Sequence, residues 1–284
     1  MRRRSSRALV GAVGGAALLF VTWFATFHVG VFERADQSIF SGFTKLGNHP
    51  HVGGVANFIA TLCNPSPYIY FGAIPVVIAL ARRRLPVAFA IGAVLLGANE
   101  TTQLLKPLLA HPRAHSLLGG FPAVSPVSWP SGHATAAMSL ALCMVLAVPA
   151  RLRPLTAALG AAFAVAVSYS FLTLGWHYPS DVLGGYLVAG TWTLLGVAAV
   201  FSFEARRHRA APEEQSTRQT VREALGPPAL ALVGAIALAG LVLVARPHAV
   251  VSYARLHETF IIGAAVIGGL GLTLATGLML ALRR

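Results

Sequence analysis

Three short segments hold the residues best suited to binding an anion and moving protons: Lys106 to Arg113, Pro130-Ser131-Gly132-His133, and His177 to Asp181. The second opens an apolar run, so Ser131, Gly132 and their backbone N–H groups fall in the first turn of a predicted helix. Donors there lack helical partners and the dipole favours an anion. His177 precedes another apolar run, in which Pro179 suits the first turn and Asp181 follows closely. A carboxylate four residues from a histidine can hold one ring nitrogen protonated and free the other to attack. Lys106 ends a third run, sharing a helix face with Asn99 and Gln103, and that face must turn toward protein or water rather than lipid. Each residue also has an ordinary reading. Lys106 and Arg113 would serve as headgroup-level anchors, Asp181 as an acid at a helix N-terminus, and His133 as an incidental neighbour of a capped start.

The elements that must position these residues are set by composition. The chain of 284 residues is 56% hydrophobic and 11% charged, with a mean hydropathy of +0.68. Such a chain has a membrane as its solvent. Backbone amides in a bilayer must pair within their own segment, so the expected fold is an all-α integral membrane protein. Eight apolar stretches of roughly spanning length are read at 8–32, 66–81, 85–105, 131–149, 155–176, 180–203, 228–245 and 258–282. The first exceeds a signal-peptide core and is taken as an uncleaved span. Asn64-Pro65-Ser66-Pro67 marks a break before the second. Upstream, Ile39, Phe40, Phe43 and Leu46 recur at helical spacing, giving a helix that either lies on the membrane surface or packs on the core.

The formal charge is +13, but the cations form short clusters between apolar runs rather than one basic face, which argues against nucleic acid as a partner. With the N-terminus inside, the inner segments hold Arg2, Arg3, Arg4, Arg7, Arg82, Arg83, Arg84, Arg151, Arg153, Arg206, Arg207, Arg209, Arg218, Arg222, Arg283 and Arg284, which is 16 of the 22 cations. Arg34, Lys45, Lys106, Arg113, Arg246 and Arg255 fall outside. Cationic loops stay cytoplasmic, so both termini are expected inside and all three chemical segments outside. Only two cations are lysine, the bias of a GC-rich bacterial genome, so the expected location is a bacterial plasma membrane. Residues 1–203 read as a six-span core, 204–227 as a polar cytoplasmic linker and 228–284 as a two-span hairpin. Cys63 and Cys143 lack metal-like spacing and read as small buried hydrophobes. Glu100 is the acid deepest in a span, with a structural and a functional role equally open.

Lys106-x6-Arg113, Pro130-Ser131-Gly132-His133 and Ser170-x6-His177-x3-Asp181 together resemble the three-part signature of the type 2 phosphatidic acid phosphatase family, whose core fold is shared with vanadium haloperoxidases. The resemblance spans about residues 33–203. It implies that His177 attacks phosphorus, that Asp181 orients it, and that His133 protonates the leaving oxygen. Lys106, Arg113, Ser131 and the Gly132 amide would hold the phosphoryl oxygens, with no metal or other cofactor needed. The implied substrate is a lipid phosphate or polyprenyl (di)phosphate entering from the membrane. The alternatives are phosphoryl transfer to another acceptor, or a non-catalytic binding or transport protein on the same fold. Two positions depart from the pattern. Ala114 replaces a usual proline, and Phe171 stands where a second phosphate-binding arginine is expected. Arg246, His248, Arg255 and His257 lie in the outer connection of the hairpin, and Arg246 and Arg255 are the candidates to replace that missing cation.

Overall fold

A computed structural model of the chain describes residues 2–48, 50–110, 124–207, 221–245, 247–256 and 258–283; Arg113, Arg246 and His257 lie outside these. Among the described residues the fold is all-helical. The helices are α1 (Arg2–His28), α2 (Gly30–Gly47), α3 (Pro50–Thr61), α4 (Pro65–Ala81), α5 (Leu85–Leu108), α6 (Gly132–Ala147), α7 (Arg153–Thr173), α8 (Pro179–Arg207), α9 (Val221–Ala245), α10 (Pro247–Leu256) and α11 (Glu258–Ala281). A 3₁₀ turn, Ala150–Leu152, leads into α7.

Five of these, α1, α5, α7, α8 and α11, are long and apolar enough to cross a membrane, and α3 with α4 makes a sixth if the pair is one span bent by 56°. The eight stretches read from the sequence therefore resolve less evenly than expected. The first ends at His28, because Val29 is extended and starts a new helix. The break expected near Asn64 is present, and it joins α3 to α4. At 16 residues α6 is about 24 Å long, short of a full bilayer crossing.

Small residues let these helices approach, as expected where lipid removes most of the hydrophobic drive for association. Gly11 and Gly15 of α1 lie against Leu194 and Thr191 of α8, Gly196 lies against Val94, and Gly160 meets Ala141. The central α6 is buried along most of its length by Ala134, Ala137, Met138, Ala141 and Cys143. α11 enters the same core through Ile267, Ala275, Leu278 and Met279. Its Gly271 faces Met138, Val165 and Tyr186.

The arginine-rich ends collect together. Arg84 pairs with Glu204 at 3.6 Å, Arg82 donates to the Ala147 carbonyl at 2.5 Å, and Arg153 donates to the Leu282 carbonyl at 2.9 Å. The Ser5 hydroxyl donates to the Ala198 carbonyl at the same end. This end gathers the start of α1, the α4–α5 and α6–α7 connections and the ends of α8 and α11. The opposite end holds Asn64, Lys106, His133 and His177.

α2 carries the helically spaced Ile39, Phe40, Phe43 and Leu46, and it buries Asp36, Gln37, Phe40 and Phe43 against the protein body. Glu100 is exposed on α5, between Leu96 and Leu104, which are exposed as well.

Candidate active site

The loop from α7 to α8 is shaped by a C-terminal motif that the sequence reading did not single out. Trp176 N–H donates to the Phe171 carbonyl and Gly175 N–H to the Leu172 carbonyl, each at 3.0 Å. Gly175 has φ 72°, the left-handed conformation this Schellman-type ending requires. The motif stops α7 and delivers His177 to the start of α8. There, His177 Nδ1 lies 3.2 Å from Asp181 Oδ2, and Tyr178 N–H donates to the same oxygen at 3.0 Å. Asp181 is fully buried, so its carboxylate holds a defined orientation against Nδ1 of the ring.

α6 starts beside this loop. Ser131 is its N-cap, its hydroxyl accepting from Ala134 N–H at 3.3 Å while its own N–H donates to the Asp181 carbonyl at 2.9 Å. Thr135 donates to the Ser131 carbonyl at 2.9 Å, and its hydroxyl lies 3.0 Å from that of Thr102 on α5. Trp129 Nε1 donates to the Ser180 carbonyl at 3.2 Å. Two glycines make this fit possible. A Cβ on Gly185 would sit 2.7 Å from the Ser131 carbonyl oxygen, and one on Gly184 2.9 Å from the Trp129 ring.

The predicted residues His133, His177, Asp181, Lys106, Ser131 and Gly132 therefore converge at one end of the bundle. The imidazole centroids of His133 and His177 are 6.3 Å apart, inclined at 61°. A Cβ built on Gly132 would lie 3.7 Å from Lys106 Nζ and 3.6 Å from Gln103 Nε2. An ammonium, an amide and a helix N-terminus thus surround one small space, which is an arrangement for a tetrahedral anion. His133 Nε2 donates to Asn64 Oδ1 at 3.0 Å, a partner that the sequence marked only as a break.

Phe171 is fully buried in the position of the expected arginine. Its ring is 5.3 Å from His177 and 5.9 Å from His133, and forms an apolar wall to both imidazoles. Trp176 is 39% exposed with its ring 5.7 Å from His133, so the rim of the site is aromatic. Of the candidate substitute cations, Arg255 is an exposed residue of α10. Among the described residues no group of three or more His, Cys, Asp or Glu side chains is placed to share a metal ion.

Residues 84–205 match the family model described as the PAP2 superfamily. Among solved structures, the chain is similar to the first transmembrane PAP2 type phosphatidylglycerolphosphate phosphatase from Bacillus subtilis. Identity is 21%, the alignment covers 72% of this chain and 98% of that one, and the TM-score is 0.48. No curated protein matches the chain.

Proposed function

Taking as premise that residues 84–205 fall in the PAP2 superfamily, we propose that this protein is a membrane phosphatase that hydrolyses a lipid phosphate or polyprenyl (di)phosphate through a phosphohistidine on His177. The observation that carries the reading is the pairing of His177 Nδ1 with buried Asp181 at 3.2 Å, opposite His133.

The phosphoryl group rests on Lys106, Ser131 and the Gly132 amide, with Arg113 supplied from the segment between α5 and α6. His177 Nε2 attacks phosphorus as the ester P–O bond breaks, and the departing oxygen takes a proton from His133. Asp181 stabilises the positive charge that His177 gains. His133, now neutral, takes a proton from water as that water attacks phosphorus, the P–N bond breaks and inorganic phosphate leaves. Positioning and fixed positive charge stabilise the equatorial oxygens, so the step calls for no metal ion.

The site is assigned to the outer face of a bacterial plasma membrane with both termini cytoplasmic. Support comes from the arginines gathered at the opposite end of the bundle, since cationic ends stay inside. An apolar tail then remains in lipid while the head group reaches the site at the interface.

The test is phosphate release by the purified protein from a panel of lipid phosphates with chelator present. Release is expected in wild type and is expected to vanish in His177→Asn. Release that needs an added divalent metal, or that survives this substitution, refutes the mechanism. Buried Phe171 favours a second reading in which turnover is impaired and the site mainly binds its lipid. Tight binding of a lipid phosphate without release supports that reading. Appearance of labelled phosphate on a lipid or glycan would instead establish transfer.

A further inference from the structure

Asp36 lies on α2, outside the segment that matches the family model, and 144 residues before its partner Ser180. Its side chain is buried. Oδ1 accepts from Ser180 N–H at 2.8 Å and Oδ2 accepts from the Ser180 hydroxyl at 2.7 Å. Ser180 is the second residue of α8, where a backbone N–H has no helical partner, and Pro179 ahead of it carries no N–H. Asp36 thus caps α8 from a different helix, with a carboxylate at the positive end of the dipole.

The next residue along is Asp181, which holds His177. Asp36 therefore anchors the backbone of the turn that sets the orientation of the nucleophile. A second contact acts on the same turn: Phe40, one helical turn along α2, stacks on Tyr178 with centroids 4.5 Å apart. α2 is itself backed by the hairpin. Ser38 and Thr259 hydroxyls are 2.5 Å apart, Phe43 and Phe260 meet edge to face at 4.8 Å, and Tyr253 donates to the Gly42 carbonyl.

We propose that Asp36 is a positioning residue for His177, acting through Ser180, and that the C-terminal hairpin serves the reaction by holding α2 in place. The inference rests on the phosphohistidine reading for its kinetic consequence but not for its structural one. Among the described residues, the charged and titratable groups around His177 are Asp181 on α8 and His133 on α6, with Lys106 on α5 beside His133 and Asp36 behind Ser180. Loosening the turn weakens the His177–Asp181 pairing, so the carboxylate fixes the tautomer and orientation of the ring less firmly.

The experiment compares wild type, Asp36→Asn and Ser180→Ala by steady-state kinetics and by the ¹⁵N NMR shifts of the His177 ring, which read its tautomer and hydrogen bonding. Ser180→Ala keeps the Asp36 charge and removes only the hydroxyl bond, so it separates positioning from loss of a charge. In Asp36→Asn, kcat is expected to fall by about 10- to 100-fold with KM changed by less than about threefold, as for a misplaced catalytic group. Ser180→Ala is expected to move kcat and the His177 ring shifts the same way by less. Should Asp36→Asn fail to fold, the same two readings on Ser180→Ala decide. Unchanged kcat, or a fall in kcat without any movement of the His177 ring shifts, overturns the proposal. If wild type releases no phosphate from any lipid, the activity reading fails, and the ring shifts alone still test the positioning.

Discussion

Asn64→Ala gives the sharpest test of the role assigned to His133. The Asn64 side-chain oxygen accepts from His133 Nε2 at 3.0 Å, fixing that ring nitrogen as a donor, so in the proposed mechanism Nδ1 carries the proton that is transferred. A hydrogen bond contributes about 0.5–1.5 kcal/mol when both partners are neutral and about 1.5–3 kcal/mol when one is charged. The contact therefore stabilises imidazolium over neutral imidazole by roughly 1–1.5 kcal/mol, and its loss leaves less of His133 protonated to serve as the proposed acid for the departing oxygen. At about 1.4 kcal/mol per factor of ten, kcat/KM is expected to fall by about 5- to 10-fold for an alkyl phosphate. The assay pairs that substrate with an aryl phosphate whose leaving group departs without a proton, for which the change should stay within about twofold. Equal losses on both substrates would mean that Asn64 only supports the fold. No loss on either would show that the contact has no bearing on proton transfer.

Two further outcomes follow from packing in the site. Gly185→Val places a side chain against the Ser131 carbonyl and Ala134, at 2.7–2.8 Å for the Cβ alone, so α8 must move off the start of α6. Thermal stability should fall by about 1–3 kcal/mol, as for an overpacked interior, and phosphate release should fall with it; wild-type stability would refute the packing argument. Phe171→Arg removes a fully buried ring and puts a cation among apolar neighbours, at a cost of several kcal/mol unless an anion pairs with it. The melting temperature of this variant should be low without ligand and should rise more steeply than that of wild type when inorganic phosphate is added. Parallel phosphate responses would show that position 171 does not reach the anion.

Much of the site was legible because its determinants are local. Pro130-Ser131-Gly132-His133 places donors at a helix start through chain geometry alone, and His177-x3-Asp181 brings ring and carboxylate together across one turn. The mean hydropathy and the arginine clusters fixed the solvent and the end-to-end asymmetry without reference to any contact. The span pattern was less legible, since apolar length does not distinguish a crossing helix from a short buried one. α6 is an example: its alanines pack on every side although it has only 16 residues. The break after α3 was legible in Asn64-Pro65-Ser66-Pro67, whereas the placement of α11 inside the core depends on which small residues meet across helices, as Gly271 does against Met138, Val165 and Tyr186.

By itself the sequence determined an all-helical membrane chain, a cationic end, and three segments of matching chemistry. Tertiary structure alone decided that Asn64 would meet His133, that Asp36 would cap α8, and that Phe171 would close the wall beside both imidazoles. The physical reason is separation along the chain. Hydrogen bonds bridging 69 and 144 residues leave no periodicity or spacing to read, whereas a cap or an i, i+4 pair is written into the few residues that form it.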